Sequence, residues 1–187
     1  MFGKIARFEL RYQLTSPVFW IVAVLFFLLT FGAVASETIT IGSGGNVWKN
    51  SAQAIVQIHL VFSLFFMFVT TAFVANVIVR DDESGFGPMV RSTRVAKFDY
   101  LFGRFTGAFL AAAVAFLAIP LAIWIGSWMP WVDPDTLGPN RLSTYAYAYV
   151  LLALPNLFLT AAIFFAVATT TRSMMYSYLG VVVFLVL

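Results

Sequence analysis

Apolar residues in this chain come in five long runs, 18–35, 54–79, 100–128, 144–169 and 174–187, separated by short polar segments. Inside a run the polar positions are too few to mark a period of 2 or 3.6, so length is what assigns the element. A bilayer core about 30 Å thick takes about 20 helical residues. The first four runs are therefore predicted to cross a membrane, and the last, only fourteen residues long, is predicted to be the start of a truncated fifth span. Backbone polar groups in lipid need partners within their own segment, and runs this long and uniform do not suit barrel strands. The predicted class is an all-α polytopic membrane protein, with residues 1–187 forming the N-terminal part of one longer transmembrane domain.

The polar segments refine this picture. In Met1–Ser16, Lys4, Arg7 and Arg11 recur at helical spacing beside an apolar face of Ile5, Phe8 and Tyr12. This predicts either a short helix on an anionic membrane surface or a basic flank that orients the first span. Pro17 then ends the register. Ala33-Val34-Ala35 resembles a signal cleavage site, but the apolar core before it exceeds the roughly 7–15 residues of a signal and further spans follow, so a retained helix is expected. Segment 36–52 is glycine-rich with Trp48 as an interface anchor, and 128–143 carries Pro130, Pro134, Gly138 and Pro139 as breakers. Thr170–Ser173 is a tight turn with Arg172.

Charge adds orientation. Charged residues make up 10% of the chain, against about 25% in a soluble domain, and nine of them fall in Arg80–Arg104, RDDESGFGPMVRSTRVAKFDYLFGR. The N-terminal side of the predicted membrane holds Lys4, Arg7, Arg11, Arg80, Arg91, Arg94, Lys97, Arg104 and Arg172; the other side holds only Lys49 and Arg141. The positive-inside rule then places the N-terminus and the loop 80–97 in the cytoplasm. With no cysteine, disulfides and thiolate metal sites are excluded.

Candidate chemistry is sparse. Gly103-x-x-x-Gly107 continues through Ala111 and Ala115 as a strip of small side chains along which another helix can pack, either in a subunit or moving-bundle interface or within the chain; Ala162 and Ala166 form a weaker strip. Pro120 and Pro155 remove helix hydrogen bonds in the third and fourth spans, as gating bends or static kinks. His59 reads as an interfacial or packed histidine rather than a proton relay, since no carboxylate lies near it within the span, and Asn76 can bond across helices. There is no H-E-x-x-H, no G-x-x-x-x-G-K and no histidine–carboxylate cluster, so no catalytic, metal or cofactor site is expected. Span centres nearly free of ionisable residues argue against an ion-coupled secondary transporter. In the loop, Gly85, Gly87 and Pro88 permit a tight turn into a short helix over 89–97 that presents apolar and basic groups to a soluble partner; a solvated loop is the alternative.

The opening FGKIARFELRYQLTSPVFW, the loop DDESGFGPMVRSTRVAKFDYLFGRFTGAF and the span order resemble the ABC-2 type permeases of bacterial ABC exporters, nearest to the variant fused to a C-terminal zinc aminopeptidase-like domain. The resemblance covers essentially the whole chain. It implies an N-terminal interfacial helix, six spans, and a coupling region at 80–97 with Asp82, Glu83, Gly85, Phe86, Pro88, Ser92 and Thr93 on the motif. Phe86, Met89 and Val90 would be its apolar anchors and Arg91 and Arg94 its charged contacts; Arg94 stands where related loops often have proline. The implied partners are an ABC ATPase subunit holding ATP and Mg²⁺, a second permease subunit, either a copy or a different chain, and the lipid bilayer, with no nucleic acid. The implied location is the bacterial inner membrane. The alternative is a membrane anchor for a larger peptidase, without a transport role.

Overall fold

A computed structural model of the protein describes every residue except 37, 38, 40, 44–46, 86–91, 93, 94 and 187, together with the side chain of Asp82. The described residues contain helices and no strand. In order these are α1 (Phe2–Thr15), α2 (Pro17–Ala35), α3 (Ala52–Glu83), α4 (Lys97–Phe116), α5 (Ala118–Gly126), a 3₁₀ turn (Pro134–Thr136), α6 (Leu142–Tyr147), a π-helical segment (Ala148–Ala153), α7 (Leu154–Thr171) and α8 (Met174–Val186). Pro17–Ala35, Ala52–Asp81, Lys97–Gly126 and Leu142–Thr171 are each long and apolar enough to cross a membrane.

Prolines set several boundaries. Ser16 takes an extended conformation (φ −71°, ψ 135°), as a residue before proline prefers, and Pro17 opens α2 where its missing N–H costs nothing. The third span, expected as one run over 100–128, is interrupted at Leu117, where Leu117 N–H bonds back only three residues to Val114 O at 3.2 Å. The cause is Pro120: it offers no N–H to the carbonyl of Phe116, and its ring crowds that carbonyl. In the fourth span the turns just before Pro155 widen to π register over Ala148–Ala153, which passes over the N–H that Pro155 lacks. Beyond α7, Arg172 adopts a left-handed conformation (φ 53°) and donates its backbone N–H to Ala168 O at 2.8 Å, ending the helix.

α3 corrects the expected loop. It has 32 residues and so runs roughly 48 Å, well beyond a bilayer core. Its final turn takes up Arg80–Glu83, and α4 begins at Lys97, so both ends of the expected loop are helical.

The chain divides into two compact units. The first comprises Met1–Phe19, Phe66–Ala113 and Leu157–Leu187. Its core joins Met67, Val74 and Val77 of α3 to Ala108 of α4, Ala161 and Phe164 of α7 and Val181 of α8. Beside it, Phe105 and Phe109 of α4 meet Phe158 edge-on at centroid distances of 5.7 and 5.5 Å. The second unit comprises Trp20–Phe65 and Val114–Asn156. There Ile55, Phe116, Ile119 and Ile123 are fully buried, Phe26 meets Phe62 edge-on, and Gly126 lets α5 approach Val34 of α2 closely. Its connecting segments are tied by Asn50, whose side chain donates to Gly138 O and accepts from Gly138 N–H, both at 2.7 Å. Asn140 extends this tie to Ser127 and Tyr145. Buried Lys49 donates to Ser36 O at 2.6 Å.

Candidate functional site

The N-terminal helix buries the face that its composition does not advertise. Ala6, Glu9 and Gln13 are the buried residues of α1, whereas Phe8 and Tyr12, expected on a face toward the membrane surface, are exposed together with Lys4, Arg7 and Arg11. Two features of its neighbours explain this. α4 presents Gly103 and Gly107, and a Cβ at Gly107 would stand 2.6 Å from both the Ala6 carbonyl oxygen and the Glu9 Cβ; one at Gly103 would stand 2.9 Å from the Ile5 Cβ. Only glycine allows backbones this close, so α1 occupies the strip of small residues at these two positions. Ala111, further along the strip, is fully buried.

The second feature is charge. Close approach brings Glu9, wholly buried, against Arg104 of α4, which is itself 3% exposed, and the Arg104 guanidinium donates to the Glu9 carboxylate. The other terminal nitrogen of Arg104 reaches Asp81 of α3 at 2.7 Å, and the Tyr100 hydroxyl donates to the same carboxylate. Arg80 donates to Glu9 at 2.9 Å. Gln13 completes the cluster, donating to Glu9 at 2.9 Å and to the Phe73 carbonyl of α3 at 3.2 Å. Arg80 also stacks over the Tyr12 ring at 4.1 Å, and Arg104 lies near the rings of Phe8 and Tyr100.

Glu9 and Asp81 against Arg80 and Arg104 sum to zero charge. This neutrality is what allows the cluster to be buried, because an unpaired charge out of water costs several kcal/mol. The planar fork of Arg104 suits the task, since it serves two carboxylates on two different helices at once. The arrangement ties α1, α3 and α4 together at the ends of α3 and α4 that lead into the loop. No group of three or more His, Cys, Asp or Glu placed to hold a metal ion occurs among the described residues, and each carboxylate of the cluster is engaged by arginine.

The other expected site residues are placed as follows. Asp82 and Glu83 lie in the last turn of α3, with Glu83 exposed; Gly85 follows in a left-handed conformation (φ 71°) in open space. Phe86, Pro88, Met89, Val90, Arg91, Thr93 and Arg94 lie outside the described residues, and Ser92 is exposed. His59 is packed rather than interfacial: it is 1% exposed, its ring lies 6.0 Å from that of Phe116, and its Nδ1 bonds the Ile55 carbonyl at 2.8 Å. Because a carbonyl only accepts, Nδ1 carries the proton. Asn76 is exposed and bonds across to no described helix.

Glu9, Gln13 and Tyr100 belong to no motif in the sequence, and Arg104 reads as a loop charge although it falls inside the run 100–128. A signal was present. Glu9 is the single acidic residue in the first 36, and helical geometry puts it opposite Lys4, Arg7 and Arg11. A lone acid facing away from a basic stripe needs a cation from elsewhere in the chain once that face is buried, as it is here. Comparison with protein-family models, curated proteins and solved structures gives no match for this chain.

Proposed function

We propose that this chain is part of the permease subunit of an ATP-driven exporter, in which movement delivered to the loop 80–97 is carried into the spans by the buried ion network. The observation that carries the reading is the position of that network. Glu9, Arg80, Asp81 and Arg104 bind the N-terminal helix to both helices that flank the loop. A force applied to a loop rooted in isolated helices dissipates in bending, whereas here the roots of the loop and α1 are held as one element. The resemblance of the N-terminal block and the loop to ABC-2 type permeases supplies the direction of coupling. A separate ATPase subunit docks on the loop, hydrolyses ATP with Mg²⁺, and tilts the spans against those of a second permease subunit.

In this reading the apolar Phe86, Met89 and Val90 form the desolvated centre of the docking surface, and Arg91 and Arg94 guide the approach of the partner. Replacing Phe86 and Met89 together by alanine should leave membrane insertion intact and abolish co-purification of the ATPase subunit along with its transport-stimulated hydrolysis. Unchanged association and transport would remove the loop from the mechanism and leave the anchor role in its place.

The same reading fixes the topology. Because the chain has no cysteine, single introduced thiols report their side directly. With the N-terminus in the cytoplasm, Arg91→Cys should be shielded from an impermeant thiol reagent in intact bacterial cells, and Arg141→Cys should be labelled. The reverse pattern would overturn the orientation.

A further inference from the structure

Docking of α1 leaves it with a wholly cationic outer face. Its one acid, Glu9, is buried with Ala6 and Gln13 on the protein side. At 100° per residue, Lys4, Arg7 and Arg11 fall on the opposite side, within about 60° of one another and over roughly 11 Å of helix. All three are exposed, and none is paired with a carboxylate among the described residues. Along the same face Phe8 and Tyr12 are 59% and 47% exposed and stack at a centroid distance of 6.4 Å. Lys4 and Arg7 also line an open hollow of about 530 Å³ with Met1 and Gly3. The Met1 ammonium is itself paired with Asp99 at 3.4 Å, so the unmatched charge of the hollow is that of Lys4 and Arg7.

Connectivity puts this face at a bilayer surface. Only Ser16 separates α1 from Pro17, where one helix long and apolar enough to cross a membrane begins, and α1 is pressed against Gly103 and Gly107 of another. Arg11 stands six residues before Pro17, about 9 Å of helix, little more than the headgroup layer of a bilayer is deep. Charge complementarity then selects the occupant. Cations without acids call for anions, and the aromatic rings beside them call for a place out of water. An anionic bilayer surface supplies phosphates and, just beneath them, the acyl boundary. A soluble acidic surface would match the charge, but it would have to displace the lipid that the spans bring alongside. We infer that the outer face of α1 binds the headgroups of anionic phospholipids, with Lys4, Arg7 and Arg11 on their phosphates and the Phe8 ring among the upper methylenes. Each such cation raises affinity for an anionic surface on the order of fivefold, and salt screens the effect. The inference rests on the spanning helices, not on the transport reading, and it holds for either orientation of the chain.

The test reads which lipid lies beside α1. The chain has no cysteine, so Gly3→Cys, at a position with nothing within 4 Å, carries a single bimane fluorophore. Leu25→Cys, on the exposed side of α2, carries the comparison. The labelled full chain is placed in nanodiscs of phosphatidylcholine containing a small fraction of nitroxide-bearing phosphatidylglycerol or phosphatidylcholine as quencher. At position 3 the phosphatidylglycerol should quench several-fold more strongly than the phosphatidylcholine, and at position 25 the two should quench equally. The preference should shrink towards equality at high salt and in the Lys4→Gln, Arg7→Gln, Arg11→Gln triple variant, and it should survive added glycerol phosphate. Equal quenching by the two lipids at position 3 of the chain with all three cations would overturn the inference, whether or not the triple variant folds. So would loss of the preference to glycerol phosphate, the mark of a site for a free phosphate ester. Quenching at position 3 by aqueous iodide and by neither lipid would also overturn it, because the face would then be turned to water and to a soluble partner.

Discussion

Replacing Arg104 by methionine should destabilise the protein by about 3–5 kcal/mol, the cost of removing one partner from a buried ion pair. The reason is not the loss of attraction alone. With the guanidinium gone, Glu9 keeps the half-buried Arg80 and Gln13 among the described residues, Asp81 keeps the Tyr100 hydroxyl, and these four ionisable positions are left with a net negative charge in a buried setting. Arg104→Lys should recover part of the loss, since one ammonium cannot serve two carboxylates on separate helices as a planar fork does. Pairing Arg104→Met with Glu9→Gln restores neutrality and should recover more than Arg104→Lys does. Unfolding in mixed micelles over the full double-mutant cycle measures this. Additive costs, within about 0.5 kcal/mol, would mean that Glu9 and Arg104 act independently and that the network is no unit.

Gly107→Val should detach the N-terminal helix. A Cβ at this position meets the Ala6 carbonyl oxygen and the Glu9 Cβ at 2.6 Å and the Leu10 nitrogen at 3.0 Å. Two of these three are backbone atoms, which cannot turn aside as the end of a flexible side chain can. The expected cost is about 3 kcal/mol, at the upper end of ordinary overpacking, because displacing α1 also pulls Glu9 from its arginines. A thiol at buried position 6, introduced as Ala6→Cys, should be protected in the parent chain and react readily once Gly107→Val is added. Gly3→Ala, where nothing lies within 4 Å, is the control and should leave the protection unchanged. Equal protection in the Gly107→Val chain would show that α1 is held by something other than the strip and the ion network.

These two predictions concern one structural decision, the docking of α1, and the ABC-type coupling reading makes a functional demand on it. If the network transmits motion from the loop, Arg104→Met should uncouple ATP hydrolysis from transport even at temperatures where the protein stays folded. A mere stabilising role would lower both together with the folded fraction.

The sequence by itself determined the helices and their approximate ends. In a bilayer an apolar run of about 20 residues has one low-energy conformation, since its backbone must bond within the segment. Prolines and polar breaks then mark the boundaries, as at Pro17 and Thr170–Ser173. Even the interruptions near Pro120 and Pro155 were legible as local events, though their form, a break at Leu117 in one and a π-helical segment in the other, was not. What the tertiary structure alone decided was which faces meet. Span faces toward lipid are as apolar as those toward protein, so hydropathy leaves the packed side of α2, α3 or α7 unspecified. In α1 the apolar pattern marks Ile5, Phe8 and Tyr12 as a face for the membrane surface and leaves open what packs on the protein, where Ala6, Glu9 and Gln13 are buried. The pairing of Glu9 with Arg104 spans 95 residues of chain, and no local periodicity encodes a contact at that separation. It exists because two glycines bring the backbones of α1 and α4 together, and because a carboxylate held there out of water must have a cation beside it.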